Sequence, residues 1–307
     1  MQKRNVILDT DISNEVDDQF ALCYLIRSLD NVNLQAITIA PFKGTGYTPV
    51  KNLAEGVDLS YNTACEILDK LNAGFYKDVI FKGATSYFFE NKGINPASSK
   101  IIEIAKANEH TTIIAIGAIT NIAKAIYHAP EIINKIDIIW LGGNSFLTEK
   151  NNEFNFRQDV EGTRFVFNSK APLVVIPCRN VASNLSTTVY ELEHYLLGQG
   201  EIGQYLCNIF RNCKKAYRKD AKDIIGESKT LWDLSAIAYF LNKDWFKTQE
   251  KSCPEILDDT SYQSTTNRHK ITFVNDLNRD EIFRDFFIKM GYTCLLYTSP
   301  SPRDTER

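Results

Sequence analysis

Val6-Ile-Leu-Asp9-Thr-Asp11-Ile-Ser-Asn-Glu15-Val-Asp17-Asp18-Gln-Phe-Ala-Leu22 is the stretch from which the rest of the chain can be read. A short apolar run, Val6 to Leu8, ends in five carboxylates within ten residues, and Phe20, Ala21, Tyr24 and Leu25 then follow at helical spacing. This is the pattern of a buried strand, a tight loop and a helix. Asp17 and Asp18 alone would be explained by the helix dipole, which favours acids in the first turn. Asp9 and Asp11 lie on the strand side and escape that explanation. Like charges so crowded repel one another unless a cation neutralises them. Hard oxygen ligands of this kind suit calcium or magnesium.

Outward from this stretch, strands alternate with helices. Val32 to Ala40 reads as a second strand, ending in the loop Pro41 to Gly46. A helix is expected around Leu59 to Leu71, a short strand at Asp78 to Lys82, a loop from Gly83 to Ser99 and a helix from Lys100 to Ala107. Thr111 to Gly117, Ile136 to Leu141 and Leu173 to Ile176 read as strands, separated by helices at Asn121 to Tyr127 and Asp159 to Phe167. Two helical stretches are expected between Glu191 and Arg218, a helix at Leu231 to Leu241, a late strand at Ile271 to Val274 and a closing helix at Asp280 to Met290. Such alternation predicts an α/β fold, with an open, largely parallel sheet and helices on both faces. Ligands in these folds bind beyond the carboxyl ends of the strands. Four informative segments fall there: Asp9–Asp18, Pro41–Gly46, Gly117–Asn121 and Leu141–Asn155.

The bulk composition narrows the function. The chain of 307 residues is 44% apolar and 24% charged with a net charge of −3, so neither a nucleic-acid partner nor a membrane is expected. No apolar stretch approaches the ~20 residues that span a bilayer. The first residues run straight into a strand, without the apolar core of an export signal, which points to a cytoplasmic protein. The seven cysteines are scattered without a CxxC pair and read as reduced core residues; Cys23 and Cys178 lie in apolar surroundings. No linker or repeat is visible, so residues 1–292 read as one domain. Residues 293–307, with Ser-Pro-Ser-Pro after the closing helix, read as a translated sequencing adapter.

Several motifs, in order, carry a family resemblance. Asp9-Thr-Asp11…Asp17-Asp18 resembles the acidic signature of the inosine–uridine-type nucleoside hydrolases. Ile116-Gly-Ala-Ile-Thr120-Asn121 is similar to that family's Gly-Pro-Leu-Thr-Asn segment. Trp140-Leu-Gly-Gly-Asn144 resembles its Met-Gly-Gly turn, and Glu153-Phe-Asn155 its Glu-Phe-Asn segment. Trp232-Asp233 resembles its late aspartate before an apolar helix. The resemblance covers residues 6 to about 290 and marks a divergent branch.

It implies a hydrolase of the N-glycosidic bond of a nucleoside or related riboside, with calcium as cofactor. Implied metal ligands are Asp11, Asp18, the backbone carbonyl of Thr120, and Asp233. Asp11 is the implied base for a water activated by the metal. Asp17, Glu153, Asn155, Trp232 and Asn144 would contact substrate, Asn155 having both donor and acceptor groups. A ring of carboxylates would stabilise the oxocarbenium-like transition state. Purine or pyrimidine salvage and a homo-oligomer are also implied.

Read without the resemblance, Asp233 and Asn121 could each cap a helix, and Gly142-Gly143 could simply form a turn. The chain also departs from the family pattern. Five residues separate Asp11 from Asp17, where the family has three, and Glu15 lies among them. Trp232 stands where purine-cleaving members carry a histidine acid; a tryptophan can stack on a base but cannot protonate it. His269 is the candidate for that acid. Two other readings follow: a calcium- and ribose-binding protein without catalysis, and a hydrolase of a non-nucleoside riboside whose good leaving group needs no acid.

Overall fold

Along β1 (Arg4–Thr10), Val6 and Leu8 pack into one apolar cluster and Ile7 into another, so the strand is buried on both faces. That places it inside a covered sheet. The structure is a computed structural model and describes residues 3–44, 47–146, 148, 150–217 and 227–293. After β1 come α1 (Asp17–Ile26), β2 (Val32–Ile39), α2 (Leu53–Lys70), β3 (Ile80–Lys82), α3 (Pro96–Ala107), β4 (Thr111–Ala115), α4 (Thr120–His128) and β5 (Ile136–Leu141). The middle of the chain gives α5 (Phe154–Gln158), α6 (Val160–Asn168), β6 (Leu173–Ile176), β7 (Ser186–Thr188), α7 (Val189–Leu196), α8 (Gly200–Tyr217) and β8 (Ser228–Thr230). It ends with α9 (Leu234–Leu241), β9 (Phe246–Ser252), β10 (Glu255–Ile256), β11 (Tyr262–Gln263), β12 (Lys270–Leu277) and α10 (Arg279–Lys289).

The central sheet has the order β3-β2-β1-β4-β5-β6-β12-β9. All its neighbours run parallel except β12 and β9. One face buries Phe20, Val57, Leu206, Ile237 and Phe283 from α1, α2, α8, α9 and α10; the other buries Ile101, Ile122 and Val166 from α3, α4 and α6. The expected α/β class, largely parallel and covered on both faces, is what the chain adopts. No helix among the described residues is long and apolar enough to cross a membrane.

Local boundaries differ where polar residues start helices. α2 begins at Leu53 because Asn52 caps it, its side chain accepting from Glu55 N. α3 begins at Pro96, inside the expected loop, through a capping box of Asn95 and Ser98. The edge strand β9, Phe-Lys-Thr-Gln-Glu-Lys-Ser, has no apolar alternation and was not expected; exposed charges suit a sheet edge. The adapter-like tail from residue 294, Arg218 and Gly46 lie outside the described residues.

Candidate active site

At the carboxyl ends of the central strands is a cavity of about 250 Å³ lined by Asp11, Asn14, Glu15, Asp17, Asp18, Asn144, Glu153, Asn155, Cys178, Arg179, Trp232 and Asp233, among others. A larger cleft of about 840 Å³ lies at the opposite edge of the sheet, where His110 pairs with Asp137 at 2.6 Å. The clustered, buried acids belong to the smaller cavity.

Each acid is delivered by a strand end or a helix start. Asp11 follows β1 and is 1% exposed. It fits because Gly117, two residues past β4, has no side chain: a Cβ there would lie 2.8 Å from Ala40 Cβ and 3.1 Å from Asp11 Oδ1. Asp17 and Asp18 open α1 and are buried, and Thr10 donates its hydroxyl to Asp18 Oδ1 at 2.5 Å. Asp233 sits at the N-cap of α9 but makes no capping hydrogen bond with its side chain. It turns into the cavity instead. Asn121 does not cap either: its amide donates to Asp9 Oδ1 and Ile39 O, both at 2.9 Å, and accepts from Ala84 N. It thus ties β1 to β2.

The electrostatics are those of crowded, buried acids. One oxygen each from Asp17, Asp18 and Asp233 lies within 4.8 Å of the others. Among the described residues, Asp11 Oδ2 and Asp17 Oδ1 are buried without a hydrogen-bond partner. Burial, then the charge of Asp17, push Asp18 up to about 8. Burial pushes Asp17 up to about 6, against the pull of Lys229. Asp11 and Asp233 are raised well above the carboxylate range by burial and by the neighbouring aspartates. The donor set therefore fits a hard cation. Its tightest trio contains Asp17, assigned above to the sugar, while Asp11 lies beside it.

The opposite wall is built differently. Glu153 caps α5, its carboxylate accepting from Gly143 N, Asn155 N and Phe156 N at 2.8–2.9 Å. Gly143 takes a left-handed φ of +71°, which turns its N–H onto that carboxylate. Asn155 donates its amide to Ile116 O at 3.1 Å and Leu141 O at 3.0 Å, which commits the nitrogen and leaves the side-chain oxygen to the cavity. Asn144 Oδ1 accepts from Arg179 N, and Trp232 N donates to Asp17 Oδ2. Thr120 is buried at the start of α4, its hydroxyl on Asp159 Oδ2 at 2.6 Å; its side chain is not part of the cavity lining.

His269 is not at this site. It immediately precedes β12, which runs parallel to β6, so it lies at the amino edge of the strands, away from the acids. Its carbonyl accepts from Cys253 N, and burial with nearby Arg268 and Lys170 lowers its pKa. Cys178 is buried in the apolar core cluster, as expected, and its thiol also meets Glu153 at the cavity wall. Cys178 and Arg179 were missed as site residues. The available signal was their position just past the carboxyl end of a predicted strand. Glu15, left open by the sequence, pairs with Lys229 of β8 at 2.5 Å.

The family model for inosine-uridine preferring nucleoside hydrolases matches residues 6–284. The chain belongs to that family. Its class, an N-ribosyl hydrolase, follows from the membership. The chain is 23% identical over 227 residues to a probable uridine nucleosidase 2 of Arabidopsis thaliana, covering 67% of this chain and 69% of that one. It is 26% identical over 269 residues to a pyrimidine-specific ribonucleoside hydrolase of Escherichia coli, covering 81% and 82%. A solved plant nucleoside hydrolase superposes with a TM-score of 0.77 at 16% identity, over 94% of this chain and 98% of that one. This nucleoside hydrolase family member thus shares its fold with proteins of low identity.

Proposed function

We propose that this family member hydrolyses the N-glycosidic bond of a ribonucleoside, or a closely related riboside, with calcium held by Asp11, Asp17, Asp18 and Asp233. The observation that carries this reading is the convergence of those four buried carboxylates with Glu153 and Asn155 on one cavity. When bound, the cation neutralises the acids and makes nearby water easier to deprotonate. Asp11, whose Oδ2 has no hydrogen-bond partner among the described residues, takes the proton of the attacking water. Asp17 and the side-chain oxygen of Asn155 accept from ribose hydroxyls. The surrounding carboxylates stabilise positive charge as it develops at C1′.

We read residues 1–292 as one domain, because a single sheet draws strands from Arg4 to Leu277. The six described cysteines are free, which supports a reducing compartment such as the cytoplasm, where a salvage role fits.

The test is a panel of nucleosides plus p-nitrophenyl riboside, assayed with calcium and with chelator. Turnover that chelator abolishes and calcium restores is expected, and Asp11→Ala should lose it. No turnover on any riboside, with ribose binding retained, would favour a binding protein and overturn the proposal.

A further inference from the structure

Six carboxylates line the cavity: Asp11, Glu15, Asp17, Asp18, Glu153 and Asp233. Even with a divalent cation, Arg179 and the Lys229 partner of Glu15 set against them, the wall stays net negative. Breaking the bond of a neutral riboside there creates two charges. The sugar becomes positive and suits the acids. The base keeps the bonding electron pair, so it must be protonated or leave as an anion beside like charges.

No side chain on the wall is placed to protonate it. Among the described lining residues there is no histidine, lysine or tyrosine. The carboxylates act as acceptors. Glu153 takes the backbone N–H groups of Gly143, Asn155 and Phe156. Asp17 Oδ2 takes Trp232 N, and Asp18 Oδ1 takes the Thr10 hydroxyl. Glu15 meets the Lys229 ammonium at 2.5 Å. The Cys178 thiol hydrogen-bonds to Glu153. A guanidinium such as that of Arg179 keeps its protons at any working pH.

We infer that the site prefers ribosides whose base already carries a positive charge, the simplest being N-ribosylpyridinium cations, which leave as neutral molecules. This rests on the riboside-hydrolase reading above and narrows it. In such a substrate the positive charge is not created during the reaction. It moves one bond, from the ring nitrogen to C1′, so the same carboxylates face it before and during cleavage. Water oxygen bonds to C1′ as the C1′–N bond breaks. The electron pair of that bond returns to the ring nitrogen and cancels its charge. Asp11 takes the water's proton and later passes it to solvent, and no acid is called for at the base. Trp232, which packs partly against the apolar core and lines the cavity, adds the ring type that best attracts a cation over its face.

The experiment gives the protein, with saturating calcium, the 3-carbamoylpyridinium riboside, uridine, inosine and p-nitrophenyl riboside. The cation should show kcat/KM at least about 10²-fold above uridine and inosine, the lower end of what an acid at the base would add for them. Pyridinium ribosides are also intrinsically labile, so charge is read separately, by inhibition of p-nitrophenyl riboside turnover. The 1-methyl-3-carbamoylpyridinium cation should inhibit at least about ten-fold more tightly than neutral nicotinamide, and that advantage should shrink as salt is raised. Uridine or inosine turned over as well as the cation, or equal inhibition by the charged and the neutral ring, overturns the preference while the riboside reading stands. If no riboside is hydrolysed, p-nitrophenyl riboside included, both fall.

Discussion

Trp232 and Asp17 are joined across the site: the backbone N–H of Trp232 donates to Asp17 Oδ2 at 3.1 Å. One carboxylate oxygen is thereby fixed, and Oδ1 is left buried without a partner among the described residues. Asp17→Asn preserves the acceptor but removes the charge. It should keep its Tm within a few degrees of wild type and lose about 10²-fold in kcat/KM on p-nitrophenyl riboside, checked by a circular-dichroism melt beside the assay. Full activity in this variant would show that the charge of Asp17 is not used.

Glu15 and Lys229 should act as a unit. Lys229 is drawn down by burial but lifted further by Asp17 and Glu15, so it carries its charge beside the acids. Lys229→Met should lower the calcium concentration needed for half-maximal activity, because a competing positive charge beside Glu15 and Asp17 is then gone. In a double-mutant cycle with Glu15→Gln, the two effects should couple by about 1 kcal/mol. Strict additivity would mean that the pair does not support the site.

Stability should depend on pH in a cation-sensitive way. Asp18 holds its proton more tightly in the folded chain, with its pKa raised from 3.8 to about 8. The stability this gives is complete below the ordinary carboxylate value and is lost as pH rises through about 8. Asp17, raised to about 6, adds to the same trend. Calorimetry of the chelated protein should show Tm falling from pH 5 to pH 8. Saturating calcium should raise Tm more at pH 8, by on the order of 5 °C. A calcium shift that is larger at pH 5 would contradict the buried-acid account.

His269→Ala should leave kcat/KM within about two-fold of wild type for every riboside, since the side chain lies at the far edge of the sheet. A selective loss on purine nucleosides would restore it as the acid.

Much of the site was legible because crowded like charges leave a clear mark in a sequence. Asp9 to Asp18 had to lie at a strand end, and Gly117 and Gly142-Gly143 punctuated two more. Less legible was anything that depends on which edge of the sheet a residue reaches. His269 and Arg179 both adjoin strands, but one precedes β12 and the other follows β6, and only the direction of those strands separates them. Helix starts at Asn52 and Asn95 were hidden because a capping asparagine resembles loop composition. The two donors of Asn155 read as available to a sugar, whereas backbone carbonyls of β5 and of the segment after β4 hold its nitrogen.

The bond between Trp232 and Asp17 joins residues 215 apart in the chain. A cation held between α1 and α9 would therefore find its ligands assembled only after two segments far apart in the chain have come together. Loop closure over that separation precedes binding, so the ion cannot template the early encounter. Its effect should fall on escape from the native state: calcium would slow unfolding and leave the refolding rate nearly unchanged.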